Sequence, residues 1–316
     1  MTLPHALLVA GPTASGKSAL ALDLAERLHG AVINADSMQV YGELRVLTAR
    51  PTAQEEARVP HLLYGIRPAA QPGSAAWWRT QALAAMENAR RQDRLPILTG
   101  GTGLYFAALT QGLADIPDPG PQARAEARAL LAEFGAPAVH ARLAAEDPAT
   151  AARLNPNDSQ RIARAWEVWR GTGTGLAAWQ APLGEPPPWR FSAVVLDPPR
   201  DELRAAIATR FHAMLEQGAV DEVRDLLEQG LDPALPAMRA HGVPELAAHL
   251  RGEIPLEEAG RRTELVTGQY TKRQATWFRH HALAGHVHTI HARYAGLTQF
   301  SERNPDKIIA FVRTPG

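Results

Sequence analysis

Short apolar runs alternate with stretches of helical period through the opening third of the chain. Ala6–Ala10, Ala31–Asn34, His61–Ile66 and Leu95–Thr99 each read as a strand, separated by helical or irregular segments. This alternation predicts a parallel sheet with helices packed on its faces. From about Asp115 the pattern changes. Asp115-Ile-Pro-Asp-Pro-Gly-Pro121 breaks any regular element, and the stretch to about Thr174 is rich in Ala, Arg, Glu and Leu and offers no strand, as a helical insertion would. A second breaker-rich stretch, Gly171 to Pro188, leads into Phe191–Leu196, where the sheet is expected to resume. Asp201–Gln217 and Ala219–Gln229 carry helical periodicity, with Gly218 and Gly230 at their ends. There is no internal repeat, and the tail beyond about Ala282 carries no motif. The expected organisation is a discontinuous core, 1–114 and 186–290, a helical insertion at 115–185 and a tail at 291–316.

Within that frame, Gly11-Pro12-Thr13-Ala14-Ser15-Gly16-Lys17-Ser18 fits G-x-x-x-x-G-K-[ST]. It follows a strand-like run and opens a helix with Leu20, Leu24 and Leu28 on one face, the context that makes the motif a P-loop. Backbone amides from Ala14 to Ser18 cradle a terminal phosphate in such a loop, Lys17 balances its charge, and the Ser18 hydroxyl ligates Mg²⁺. The loop alone does not distinguish a nucleoside triphosphate from another diphosphate. The fold class expected is therefore α/β: a P-loop parallel sheet with helices on both faces, plus a helical insertion domain.

Two further loops fall at the same edge of that sheet. Asn34-Ala-Asp-Ser-Met-Gln-Val-Tyr41 stands at the carboxyl end of the second strand, where ligands of open α/β sheets bind. Asp36 is thereby placed near the phosphates, although from spacing alone Asp36 or Ser37 serves equally well as the cap of a following helix. Thr99-Gly-Gly-Thr-Gly103 is a second glycine loop opening a helix. A carboxylate between two glycine loops suits a site that handles an anion and a removable proton.

Composition narrows the classes. With 33 basic and 33 acidic side chains, bulk charge does not signal a nucleic-acid partner, so any RNA surface must come from local clustering. One cluster exists: Arg261–Arg279 supplies Arg261, Arg262, Lys272, Arg273 and Arg279 with Tyr270, Trp277 and Phe278 interleaved. Tyr270, Gln274 and Trp277 also share a helical face, so a core-packed helix fits the same pattern. Gln160-Arg161 and Arg164 stand at helical spacing behind Asn157-Asp158, which reads as their cap; Trp166 and Trp169 read as core. Of Trp77 and Trp78, one is expected to pack and the other to line an apolar pocket. The absence of cysteine excludes disulfides and thiolate chemistry, the twelve histidines show no metal-ligand spacing, and the apolar start, Ala6–Ala10, is too short for a signal-peptide core or a membrane span. A cytoplasmic monomer without a membrane or protein partner is expected.

Taken together, Gly11–Ser18, Ala35-Asp-Ser-Met-Gln-Val-Tyr41, Ile97-Leu-Thr-Gly-Gly-Thr-Gly-Leu-Tyr105 and Gln269-Tyr-Thr-Lys-Arg-Gln-Ala-Thr-Trp-Phe-Arg279 resemble the tRNA dimethylallyltransferase family in order and spacing. Asp147-Pro148, Asn155–Arg164 and Arg210–Leu215 resemble it too. The resemblance implies transfer of a dimethylallyl group from dimethylallyl diphosphate to the N6 amine of adenine 37, beside the anticodon of a tRNA, with Mg²⁺ as cofactor. By the same resemblance, Asp36 is the general base, Thr102 lies against the attacked ester and the base, and Lys17 completes the catalytic group. Gly11, Pro12, Thr13, Ala14, Ser15, Gly16, Lys17, Ser18 and Arg210 hold the diphosphate. The tRNA anticodon stem-loop meets Asp36, Ser37, Met38, Gln39, Thr102, Arg124, Gln160, Arg161, Ile162, Ala163, Arg164, Lys272, Arg273 and Gln274. Two segments depart from the family pattern. Thr48-Ala-Arg50 replaces a terminal lysine by arginine, and His241-Gly-Val-Pro-Glu245 lacks an aromatic and a basic residue, so no role is carried onto it. Competing classes are a P-loop small-molecule or nucleotide kinase, and a nucleotide-gated RNA-binding module without catalysis.

Overall fold

Four of the apolar runs become the middle of a sheet. In a computed structural model describing residues 3–180, 185–295 and 303–313, the strands are β1 (His5–Ala10), β2 (Gly30–Asn34), β3 (His61–Leu62), β4 (Leu95–Gly100), β5 (Arg190–Leu196) and β6 (His286–Ile290). Their order is β3-β2-β4-β1-β5-β6, and every neighbouring pair is parallel. Because side chains alternate across a strand, the runs serve two cores. Ala6, Leu8, Ala10, Ile33, Leu98, Ala193 and Val195 face one layer, while Leu7, Val9, Val32, Ile97, Val194 and Leu196 face the other.

The first layer is built by α3 (Ala75–Arg91), α4 (Gly103–Gln111), α9 (Arg200–Glu216), α10 (Ala219–Glu228), α11 (Val243–Leu250) and α12 (Leu256–His280). The second holds α1 (Lys17–Arg27) and α13 (Arg303–Arg313). The short α2 (Ala53–Arg58) opens on a capping box in which Thr52 and Glu55 exchange side-chain and backbone bonds. No helix among the described residues is long and apolar enough to cross a membrane.

Two of the strand readings change. His61–Ile66 pairs only at His61–Leu62, because Leu63 turns into the left-handed region (φ 66°) and Gly65 follows it (φ 60°), which ends an extended chain. The segment after Ala282, without a motif in the sequence, supplies β6.

Residues Gln111–Pro186 form a second compact unit, separate from the unit of Met1–Thr110 and Pro187–Gly316. It contains α5 (Gly120–Glu146), α6 (Pro148–Ala151), α7 (Ser159–Thr172) and α8 (Leu176–Trp179). The Ala-rich stretch is two helical pieces: Gly135 leaves helical geometry (φ 75°, ψ 166°), just before Pro137, whose nitrogen cannot donate. Ala127, Val139, Leu143, Ile162, Ala165, Trp166 and Val168 fill its core. Asp147 caps α6 by accepting from Thr150 N–H (3.2 Å), and Asp158 caps α7 by accepting from Arg161 N–H (3.1 Å).

Trp78 joins the core to the sheet edge. Its ring is fully buried and stacked on Tyr105 at 4.3 Å, and its indole N–H donates to Asn34 O (2.8 Å) at the end of β2. Trp77 is half-buried under the Arg67 guanidinium, 4.3 Å from the ring centre. Trp78→Phe keeps the stacked ring but removes the donor, which should lower stability by about 1–3 kcal/mol. Trp78→Ala should cost about 3–5 kcal/mol, and urea denaturation followed by circular dichroism measures both. An unchanged stability in Trp78→Phe would show that the hydrogen bond contributes nothing.

Candidate active site

The central strand β1 delivers the P-loop, its neighbour β4 delivers Gly101 and Thr102, and β2, beyond β4, delivers Asp36. Parallel strands put all three loops at one edge. Side-chain bonds to main chain then set their spacing. Asn34 is fully buried and its amide accepts from Asp36 N–H (2.8 Å) while donating to Asp36 O (3.0 Å) and Leu63 O (3.1 Å). Asp36 Oδ1 accepts from Met38 N–H (2.9 Å), an Asx turn that fixes the carboxylate. The following helix does not begin until Ala53, with Thr52 as its cap, so neither Asp36 nor Ser37 caps it.

Thr102 ties the second and third loops together. Its hydroxyl accepts from Ser37 N–H (2.9 Å) and donates to Ser37 Oγ (3.3 Å). Gln39 donates through Nε2 to Thr48 O (2.9 Å) and Ala49 O (3.0 Å), so that amide nitrogen holds the next loop rather than facing outward. Arg50, of the departing Thr48-Ala-Arg50 segment, donates to Gly42 O (3.1 Å).

In the P-loop, Ser15 and Lys17 are buried, whereas Ser18 is exposed in the first turn of α1 and its hydroxyl bonds to no described residue. Lys17 Nζ donates to Pro12 O (3.4 Å), and Ser15 Oγ is buried without a partner among the described residues. Burial lowers the Lys17 pKa to about 8; the Asp36 carboxylate opposes that shift and the Arg210 guanidinium adds to it. Burial also lowers Arg210, again with Asp36 opposing. Two buried cations thus lie within electrostatic reach of one carboxylate beside the loop's backbone amides. Such a site favours a multiply charged anion.

Gln274 was expected to touch RNA, and its side chain is committed elsewhere. It is buried in α12, where Oε1 accepts from Thr13 N–H (2.8 Å) and Thr13 Oγ1 (3.1 Å) and Nε2 donates to Gly101 O (2.9 Å). A Cβ at position 101 would lie 2.2 Å from Gln274 Nε2, so the close approach requires glycine there.

The sequence pattern of the family described as IPP transferase matches residues 39–281. The chain belongs to the IPP transferase family. It is 64% identical over 312 residues to a tRNA dimethylallyltransferase of Granulibacter bethesdensis, spanning 98% of each chain. A second relative of that name, from Gluconobacter oxydans, is 61% identical over 315 residues, 99% of this chain and 95% of the other. Among solved structures, the tRNA isopentenylpyrophosphate transferase of Bacillus halodurans matches with a TM-score of 0.68 and 32% identity over 98% of this chain and 96% of that one. A eukaryotic dimethylallyltransferase described as acting on tRNA matches with a TM-score of 0.81 and 25% identity, over 97% of this chain and 78% of the other.

In this IPP transferase the residues expected at RNA divide by environment. Ile162 is fully buried in the insertion core and cannot present its side chain, which leaves Gln160, Arg161, Ala163 and Arg164 on α7. Arg124 pairs with Asp118, Arg161 with Asp158 (3.5 Å) and Arg164 with Glu167 (3.6 Å). On α12, Arg261 and Arg262 pair with Glu258 and Arg279 forks onto Asp197, so the basic stretch reduces to the exposed Lys272 and Arg273. His241, in the second departing segment, meets the Tyr270 ring edge-on at 5.0 Å, and burial lowers its pKa.

One residue bonded to the Asp36 loop escaped the sequence reading: Asn34, which appears there only as the start of a motif. The one legible signal was a buried-strand asparagine two residues before the aspartate.

The lysine pKa carries a pH dependence. Anion binding needs the ammonium, so the affinity for inorganic diphosphate should be full below about pH 8 and fall as pH rises through that value. Titration calorimetry from pH 7 to 9.5 should show affinity falling through about pH 8 in the unaltered chain and no such fall in Lys17→Met, the ligand's own proton release being common to both. The same fall in both would place the titrating group elsewhere.

Proposed function

We propose that this transferase moves the dimethylallyl group of dimethylallyl diphosphate to the N6 amine of adenine 37 in a tRNA anticodon loop. The observation that carries this reading is the Asp36 carboxylate, fixed by Asn34 and the Met38 amide and held beside Thr102, within electrostatic reach of Lys17 and Arg210. A proton acceptor at an anion-binding loop is what alkylation of an amine requires. The relatives' names and the structure described as acting on tRNA support the substrate pair.

An exocyclic adenine amine is a weak nucleophile because its lone pair is delocalised into the ring. As N6 bonds to C1 of the dimethylallyl group, the C1–O bond breaks and its electron pair leaves with the diphosphate. Asp36 accepts the N6 proton, help worth roughly 10²–10⁴-fold in rate. P-loop amides, Lys17 and Arg210 stabilise the departing charge. A stacked base cannot present N6, so the adenine must be flipped, at a cost of a few kcal/mol that is smallest in a single-stranded loop.

The exposed Ser18 hydroxyl, at the mouth of an amide cradle, fits the Mg²⁺ the family resemblance implies, since this ion takes few protein ligands and keeps phosphate and water oxygens. Bound there, it supplies further neutralisation of the diphosphate.

Asp36→Asn should keep diphosphate and tRNA affinity within about tenfold and lower the single-turnover rate by ~10²-fold or more. A near-normal rate in the folded variant would remove Asp36 as the base. Phosphorylated product from ATP, in a parallel incubation, would make the chain a kinase.

RNA contacts are tested separately. Arg161→Ala with Arg164→Ala, and Lys272→Ala with Arg273→Ala, should each raise the tRNA Kd and flatten its salt dependence, leaving diphosphate affinity unchanged. Filter binding at two salt concentrations reads both. Unchanged affinity and slope in a pair would take that pair out of the RNA surface.

A further inference from the structure

The chain beyond β6 returns to the P-loop. Tyr294 N–H donates to Ser15 O (2.9 Å), and Arg293 Nε donates to Ala14 O (2.9 Å). Neither contact is adventitious packing at a free end. Tyr294 is 2% exposed, lies in the core on the α1 side of the sheet, and its hydroxyl donates to Asp23 Oδ2 on α1 (2.5 Å). Arg293 N–H also reaches Glu202 Oε2 on α9 (3.4 Å). The main chain of Tyr294 lies so close to the loop that a Cβ on Gly16 would stand 1.9 Å from Tyr294 O.

Peptide geometry turns these outer contacts into control of the inner surface. A trans peptide is planar, with its C=O and N–H pointing in opposite directions. The peptide whose oxygen Arg293 holds carries the Ser15 N–H, which accordingly points away from Arg293 and closes the loop on Pro12 O (3.2 Å). The peptide whose oxygen Tyr294 holds carries the Gly16 N–H. Both peptides neighbour residues in the left-handed region, Ala14 at φ 65° and Gly16 at φ 90°. The alanine conformation in particular is strained and must be held by its surroundings.

We propose that Arg293 and Tyr294 are positioning residues for the diphosphate: Arg293, by taking the outward carbonyl of Ala14, holds the turn that Ser15 N–H closes on Pro12 O, and Tyr294, by taking the carbonyl of Ser15, keeps the Gly16 N–H turned toward the anion. The proposal rests on the reading of the P-loop as the diphosphate site. It predicts that the Nε donor of Arg293 matters and its charge does not.

Glutamine separates the two, because its Nε2 occupies the place of arginine Nε and carries a donor without charge, whereas methionine keeps the length and has no donor. Arg293 is exposed, so these variants should fold. Calorimetry with inorganic diphosphate, KM for dimethylallyl diphosphate and Kd for tRNA are measured on the full-length chain. Arg293→Met should weaken diphosphate binding and raise that KM by about fivefold or more, as loss of one hydrogen bond implies. Arg293→Gln should stay within about twofold of the unaltered chain, and tRNA Kd should not move in either. Tyr294→Phe, which keeps the main-chain bond but frees the ring from Asp23, should shift the diphosphate constants in the same direction by less. Methionine behaving like arginine, or glutamine failing as badly as methionine, would overturn the proposal. An unaltered chain that binds no diphosphate would instead overturn the reading on which it rests.

Discussion

The amide of Gln274 is the one contact that makes a single site out of two glycine loops. Parallel pairing fixes β1 and β4 about 4.8 Å apart, but it says nothing about the irregular chain past their ends. There Gln274 bonds to Thr13 on one side and Gly101 on the other, spending acceptor and donor together. From Gly101 the connection passes through Thr102 to Ser37, and from Asp36 to Asn34 inside the sheet. Anion cradle and carboxylate are thereby held in one register. Since each link includes a side chain bonded to main chain in a buried or part-buried setting, breaking one leaves an unpaired polar group as well as a loosened loop.

Electrostatics at this edge depends on that register. Lys17 is buried deeply enough to lose proton affinity, and Asp36 restores part of it. Moving the carboxylate away would weaken Lys17 as a cation; moving it closer would make a closed ion pair with less pull on an anion. The overall balance of 33 basic and 33 acidic side chains is silent about this, because much of the charge is consumed in surface pairs such as Arg58 with Glu26 and Arg261 with Glu258. Such exposed pairs contribute little to stability, and they also lower the charge available to RNA.

The sequence made much of the frame legible because its buried strands are continuous apolar runs bounded by glycine loops. β1, β2, β4 and β5 fall within a residue of the expected runs, and the helices after β5 likewise. β6 was missed for a physical reason. It is an edge strand whose His286 and His288 turn inward against Phe311, while Val287 stands 40% exposed, so its apolar pattern is the reverse of an ordinary half-buried strand. β3 was overextended because backbone conformation at Leu63, not composition, ends it. On α7 and α12 the helical spacing was readable, but which arginines had carboxylates opposite them was not.

The residues that escaped share a property deeper than poor periodicity. A motif records side chains, or their absence, where the chain meets a ligand; it is silent about what holds that chain from behind. Thr13 and Gln274 are separated by 261 residues and Ala14 and Arg293 by 279, so no local pattern links them. A cradle made of backbone amides has no side chains of its own with which to set its shape. It must borrow them, and in this fold the lenders sit on α12 and just past β6: a glutamine whose place on a packed helical face was readable but whose partners were not, and an arginine and a tyrosine in a tail without a motif.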